Sequence, residues 1–107
     1  MYKKFLYLSA MVPLALALSL NAAADEKAQQ LMSGNGCVAC HATDSQLVGP
    51  SYTAISEHYE ESEDNIAFLV DKIRAGGAGS FGQVPMPPHG HVSEEDARVI
   101  VEWIFTL

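Results

Sequence analysis

The chain has 107 residues, with 13 Asp and Glu against 6 Lys and Arg and a formal net charge of −7 at neutral pH. This length accommodates a single small domain, and the negative charge argues against a nucleic-acid partner, because phosphate binding requires a basic face. Two cysteines are too few for the disulfide framework of many small secreted domains. Small domains rarely gain enough stability from their cores alone, so a cofactor or a metal is expected to contribute.

Residues 1–24 have the features of a secretory signal peptide: a lysine pair, a long apolar run and small residues up to Ala24. Cleavage is predicted after Ala24. The alternative is an uncleaved membrane anchor, but the apolar run is shorter than a typical bilayer span and Pro13 interrupts it. Cleavage would remove both lysines and none of the acidic residues, so the formal charge of the remaining domain, 25–107, would be −9.

The segment 25–107 is predicted to form one all-α domain, because no part of it alternates apolar and polar residues over the length of a strand. Ser62 and Ser93 are suitable N-caps, and the acidic residues that follow each of them favour a helix start. Gly76 and Gly77 favour a helix end. Helices are therefore predicted over 25–32, over 51–59, from Ser62 to Gly76, and from Ser93 to the C-terminus.

The pentapeptide Cys37-Val38-Ala39-Cys40-His41 has the C-x-x-C-H spacing of a c-type haem attachment site. Two thiols about one helical turn apart can reach the two vinyl groups on one edge of a porphyrin, and the next residue places an imidazole under the iron. A thioredoxin-like redox pair would need a βαβ pattern, which the sequence lacks. A structural zinc site would need further ligands, and no second cysteine pair follows. The motif therefore predicts covalent haem c.

His41 is the predicted proximal ligand of the haem iron, and Met86 is the predicted ligand on the opposite side. Met86 lies in the segment Val84-Pro85-Met86-Pro87-Pro88, where prolines restrict the backbone and make helix or inner strand unfavourable. Such a methionine is a poor filler of core gaps and a good preformed ligand. Met32 lies too close in sequence to Cys37 to reach the far face of the haem. Bis-histidine ligation is the alternative if Met86 is not the ligand.

Two further patterns carry weaker signals. The histidines of the chain other than His41 are predicted to lie at the surface, and His89-Gly90-His91 could attract a transition metal. The segment 77–82 satisfies G-x-G-x-x-G, but a dinucleotide site requires a strand before this motif and a helix after it. A predicted helix precedes it and a proline-rich loop follows it. Nucleotide binding is therefore not expected here.

The chain resembles the short bacterial class I cytochromes c over essentially all of 25–107. The resemblance rests on these motifs, in this order: Gly36-Cys37-Val38-Ala39-Cys40-His41, Val48-Gly49-Pro50 with Tyr52, Pro85-Met86-Pro87-Pro88, and Trp103 near the C-terminus. It implies a class I cytochrome c fold, in which a few short helices wrap around one covalently attached haem and the terminal helices cross.

The resemblance also implies roles for individual residues. The Pro50 carbonyl would accept a hydrogen bond from Nδ1–H of His41, and this bond leaves Nε2 for the iron. Lys72 and Arg74 fall where family members carry basic residues near the haem propionates. Phe81 falls where close relatives carry a tryptophan that donates to a propionate, and phenylalanine cannot make that bond.

The predicted function is one-electron transfer in the periplasm by a monomeric carrier that is not an enzyme and has no stable membrane insertion after signal cleavage. Its predicted partners are membrane-bound or periplasmic redox proteins, a reductase and an oxidase, met through transient contacts. Two alternatives remain open. An enzyme or gas sensor would keep the sixth coordination position of the iron open, and in an assembly module the haem would be purely structural.

Overall fold

The computed structural model describes residues 12–107, with side chains from residue 18 onward. Residues 1–11, which contain the start of the predicted signal peptide, lie outside the described residues. Four α-helices follow one another: α1 Val12–Gly34, α2 Tyr52–His58, α3 Glu63–Ala75 and α4 Glu94–Ile104. A single turn of 3₁₀ helix, Cys37–Ala39, lies between α1 and α2. The described part of the chain contains no strand beyond isolated bridges, which confirms the all-α prediction.

Serine N-caps start three of these helices. The Oγ atoms of Ser51, Ser62 and Ser93 accept hydrogen bonds from the backbone N–H three residues on, at 3.0, 3.1 and 3.1 Å. Each bond satisfies one of the amide groups that lack a partner in the first turn of a helix. The predicted starts of α3 and α4 are thus confirmed. α4 ends at Ile104 and not at the C-terminus, because the last residues tighten into a turn in which the Thr106 amide donates to Trp103.

α1 is longer than predicted, since it begins at Val12 and continues through the predicted cleavage site. Between Pro13 and Gly34 the sequence contains no residue that breaks a helix, and its alanines favour one. The buried residues of α1 are Ala28 and Met32, both 0% exposed. Both follow Ala24, so the buried side chains of α1, among those described from residue 18 onward, lie in 25–107. Among the described helices, none is both long enough and apolar enough to cross a bilayer.

α4 is the central packing element of the domain, because it packs against α1, α2 and α3. The core combines the apolar side of each helix with Val92 from the preceding loop, and its buried residues are Ala28, Met32, Tyr52, Ile66, Leu69, Val70, Ile73, Val92, Ala97, Ile100, Val101, Trp103 and Ile104. Helical spacing within α3 and α4 places these residues on one side of each helix. The contact of α1 with α4 brings the first and last described helices together.

Arg98 of α4 forms ion pairs with Glu63 at the start of α3 and with Glu102 of α4. The guanidinium of Arg98 donates to both carboxylate oxygens of Glu63, at 2.7 and 3.0 Å, and its Nε donates to Glu102 at 2.8 Å. These hydrogen bonds, and then the charge of Arg98, hold the pKa of Glu63 below its ordinary value. The pair is solvent-exposed, so its contribution to stability is expected to be small and sensitive to salt.

We expect Glu63→Gln to lower the denaturation midpoint at neutral pH and to have no effect in acid. The folded-state pKa of Glu63 lies below its unfolded-state value, so the stabilisation is present above the unfolded-state pKa and is lost as pH falls through the folded-state pKa. Urea titrations of both proteins at neutral pH and at about pH 3 measure this difference. Glu61→Gln is the matched control, because no bond of Glu61 is described. A deficit of Glu63→Gln that persists in acid would contradict the prediction.

Candidate haem site

The 3₁₀ turn Cys37–Ala39 positions the attachment motif. It begins after Gly36, whose φ of 75° lies in the left-handed region that favours glycine. The backbone carbonyl of Cys37 accepts hydrogen bonds from the amides of Cys40 and His41, at 3.1 and 2.9 Å. Both cysteines are half-buried and neither is in a disulfide. The tight turn therefore presents two cysteine sulfurs and an imidazole from one short segment.

Three neighbours hold the imidazole of His41. Its Nδ1 lies 2.7 Å from the carbonyl oxygen of Pro50, and a carbonyl can only accept, so Nδ1 carries the proton and the lone pair of Nε2 is free. The ring stacks on that of Tyr52, with centroids 5.6 Å apart and an interplanar angle of 26°. Gly49 lies against the ring so closely that a Cβ there would be 2.6 Å from Cε1. The hydrogen bond implied by the resemblance is thus present in a tightly packed setting.

Burial disfavours ionisation of the side chains of Cys37 and Tyr52. Burial raises the pKa of the Cys37 thiol. Burial, and then the neighbouring Cys37, raise the pKa of Tyr52 to about 12. Tyr52 also makes an edge-to-face contact with Trp103, at 5.5 Å between ring centroids. Its hydroxyl is buried and has no hydrogen-bond partner in the described part of the chain.

Met86 is held in place by backbone contacts with the end of α3. Gly77 and Met86 exchange two hydrogen bonds, 3.0 Å from the Gly77 amide and 2.9 Å from the Met86 amide. Gly76 makes the approach possible, because its φ is 69° and a Cβ there would collide with the carbonyl oxygen of Met86 and lie 2.8 Å from the nitrogen of Pro88. The Met86 segment is therefore fixed by its backbone, which leaves the thioether available.

Six of the eight predicted site residues line one cavity, namely Cys40, His41, Pro50, Lys72, Phe81 and Met86. The remaining two do not. Cys37 packs against the core, and Arg74 donates from Nε to the Val92 carbonyl at 3.0 Å and pairs with Glu94 at 3.3 Å. The structure thus keeps Arg74 from the cavity and leaves Lys72 as the one charged side chain among the described lining residues.

The metal-binding groups that line the cavity are those that a haem requires. An imidazole nitrogen and a thioether sulfur belong to the same cavity, one of the two thiols lies beside them, and the glycines of 77–82 form part of the wall. Apolar side chains such as Ile55 and Leu69 complete the lining. The described residues contain no group of three or more His, Cys, Asp or Glu side chains that could hold an ion. This set of groups defines a protein that binds a c-type haem.

Comparison with known proteins identifies the family. The cytochrome c family profile matches residues 26–107. Cytochrome c-551 of Azotobacter vinelandii is 43% identical over 81 residues, which cover 76% of this chain and 98% of the relative. Cytochrome c-552 of Nitrosomonas europaea is 40% identical over 77 residues, covering 72% of this chain and 75% of the relative. The crystal structure of wild-type Nitrosomonas europaea cytochrome c552 superposes with a TM-score of 0.70, at 39% identity, over 74% of this chain and 98% of the other.

The chain therefore belongs to the cytochrome c family and has the class I cytochrome c fold. Membership implies covalently attached haem c with iron, and Cys37 and Cys40 have the required spacing before His41. The relatives are electron carriers of this family. The predicted family, fold and cofactor are thereby confirmed.

Phe81 packs in an aromatic cluster that the sequence did not indicate. The cluster consists of His58 and Tyr59 at the end of α2, Phe68 of α3, and Phe81 of the glycine-rich loop. The Phe81 ring lies 4.8 Å from that of His58 and 6.3 Å from that of Tyr59, and Nζ of Lys72 lies 5.8 Å from the centroid of Phe68. In place of a donor to a propionate, Phe81 thus supplies an apolar anchor for a loop whose glycines favour mobility.

We expect Phe81→Ala to loosen the loop locally and to change global stability little. The lost aromatic contacts are worth about 0.5–1.5 kcal/mol, so the amide of Met86 is expected to exchange with solvent up to about tenfold faster. Native-state hydrogen exchange followed by NMR measures this rate. Val84→Ala is the control, because Val84 is in the same loop and 67% exposed. Equal exchange rates in the two variants would show that Phe81 does not anchor the loop.

Proposed function

We propose that this protein is a periplasmic carrier of single electrons, with His41 and Met86 as the axial ligands of one haem c attached through Cys37 and Cys40. The observation that carries the proposal is that the imidazole and the thioether line the same cavity, with Nε2 of His41 free because Nδ1 bonds Pro50. Lys72, the one charged group described in the lining, is proposed to face a haem propionate.

When bound, the haem supplies a couple between ferric and ferrous iron. Pro50, Tyr52 and Gly49 orient the imidazole, while Gly76 and Gly77 hold the Met86 segment. With His41 and Met86 both holding the iron, no position would be left for a substrate at the metal, so the chain would act by outer-sphere transfer and not as an enzyme. A methionine ligand raises the reduction potential, and the apolar lining adds to this effect, since low polarity disfavours the additional charge of the ferric state.

The proposal also includes export of the protein and transient contacts with its redox partners. Cleavage after Ala24 would leave the core contacts of Ala28 and Met32 intact. The resulting charge of −9 suits basic or neutral surfaces on a membrane-bound or periplasmic reductase and oxidase, with rates of association that fall as salt rises. A monomer with short-lived contacts of less than about 1,200 Å² is the expected form.

Mass and visible spectroscopy of the exported wild-type protein test the proposal. The expected mass is that of 25–107 plus one haem, and the expected spectra are low-spin in both oxidation states with a methionine-to-iron charge-transfer band. A sensor or enzyme with an open sixth position would give a high-spin ferrous form that binds carbon monoxide without displacing a ligand. That result, or the absence of haem mass, would overturn the electron-carrier proposal.

A further inference from the structure

His89 and His91 lie on a short turn that is firmly attached to the domain. The Val92 amide donates to the carbonyl of His89 at 3.0 Å, which closes the turn, and the His89 amide donates to the carbonyl of Ile73 at 3.0 Å. Arg74 holds the far end through its bond to the Val92 carbonyl. The two imidazole rings are brought to 5.7 Å between centroids. Preorganisation of this kind lowers the entropic cost of binding a ligand between them.

The tautomer of His89 follows from its hydrogen bond. Its Nδ1 lies 2.9 Å from the carbonyl oxygen of Pro87. A backbone carbonyl has no proton to give, so Nδ1 is the donor. In the neutral ring the other nitrogen, Nε2, then carries an unshared lone pair. No described residue donates a hydrogen bond to it, so this lone pair is available to a metal.

The tautomer of His91 is set by Asn35. The side-chain amide of Asn35 donates from Nδ2 to the carbonyl of Leu31 at 2.8 Å, which fixes its orientation. Its Oδ1 lies 3.1 Å from Nε2 of His91 and can only accept, so Nε2 carries the proton. The free lone pair of His91 is therefore on Nδ1, and no described residue bonds it.

From these contacts we infer that His89 and His91 form a second metal site, apart from the haem cavity, that binds one divalent late first-row transition ion through His89 Nε2 and His91 Nδ1. Imidazole nitrogen suits Cu²⁺, Ni²⁺ and Zn²⁺. Histidines that bind metals characteristically donate their other ring N–H to a carbonyl or similar acceptor, and both histidines do so here. The site offers two protein ligands, which leaves coordination positions for water or a small ligand.

Neither ring belongs to the lining of the haem cavity, so neither is expected to oppose His41 there, and both remain available to a second metal. Both histidines are accessible, with His91 exposed and His89 half-buried. Cu²⁺ is expected to bind more tightly than Zn²⁺, following the general order for nitrogen ligands. His58, which is also exposed and whose described ring neighbours are Tyr59 and Phe81, is the natural control.

Titration of the ferrous holoprotein with Zn²⁺ tests the site, since Zn²⁺ takes no electron from the haem. Calorimetry should give one ion per chain, and NMR should show the ring signals of His89 and His91 shifting together while those of His58 stay in place. Glutamine in place of either histidine, His89→Gln or His91→Gln, should weaken binding at least tenfold, with the visible spectrum unchanged. His58→Gln should bind as the wild type does. Binding that does not saturate, or that survives both glutamine variants, would overturn the inference.

Discussion

Replacing Met86 by leucine is expected to abolish the methionine-to-iron charge-transfer band and to leave the rest of the fold standing. Leucine conserves the volume of methionine, so packing should change by less than about 1.5 kcal/mol. The sulfur donor is nevertheless lost. The Gly77–Met86 backbone bonds do not depend on the side chain, so the loop should keep its course. The variant should therefore remain folded with haem attached, but with an open position at the iron.

Visible spectra, carbon monoxide titration and potentiometry measure the consequences of the Met86→Leu substitution. Carbon monoxide should bind the ferrous variant without displacing a protein ligand, and the reduction potential should fall. Met32→Leu is the matched control. It makes the same substitution at a methionine that lies outside the haem cavity and is fully buried in the core. Persistence of the band in Met86→Leu would assign the sulfur ligand to another methionine, whereas absence of the band already in the wild type would favour bis-histidine ligation.

Local chemistry made part of this structure predictable from sequence. The caps at Ser62 and Ser93 depend on a bond to an amide three residues away, and the attachment turn depends on the spacing of Cys37, Cys40 and His41. Each is contained in one short segment. By contrast, α1 begins at Val12 and not at Asp25, because the alanines before Asp25, which belong to the predicted signal peptide, also favour a helix.

The positions of Lys72 and Arg74 around α3 explain why Lys72 lines the cavity and Arg74 does not. Residues two apart on a helix point to different sides, so only one of the two could face the cavity. Lys72 follows the cavity-lining Leu69 by three positions and shares its side, a signal that was available in the sequence. Arg74 instead follows Val70 by four positions, and its partners Val92 and Glu94 come from distant segments.

Contacts between segments that are distant in the chain could not be predicted from the sequence. Gly76 was predicted only as a helix end, and its contact with the carbonyl of Met86 exists because the Met86 loop folds back on α3. Phe81 was compared with a tryptophan that bonds a propionate, while its aromatic neighbours His58 and Tyr59 come from the end of α2. Such contacts depend on how the segments pack, which a local pattern does not encode.

Gly49→Ala is expected to displace the imidazole of His41. The added Cβ would lie 2.6 Å from Cε1, 3.0 Å from Nδ1 and 3.2 Å from Nε2 of the ring, so the ring or the loop has to move. Such overpacking costs about 1–3 kcal/mol. Displacement would also weaken the 2.7 Å bond to the Pro50 carbonyl, which adds about 0.5–1.5 kcal/mol. The backbone of Gly49 does not have a positive φ, so the effect is steric and not conformational.

Gly34→Ala is the control for this steric effect. Gly34 ends α1, has no positive φ, and a Cβ there would meet nothing within 4 Å, so alanine should leave stability unchanged or raise it slightly. The denaturant midpoint of Gly49→Ala holoprotein should therefore fall below that of the wild type, while that of Gly34→Ala should stay level or rise slightly. NMR of the ferrous form should show His41 ring signals shifted in Gly49→Ala alone. If the two variants behave alike, the packing of Gly49 does not orient the proximal imidazole, and its hydrogen bond to the Pro50 carbonyl and its stacking on Tyr52 must hold it without that contact.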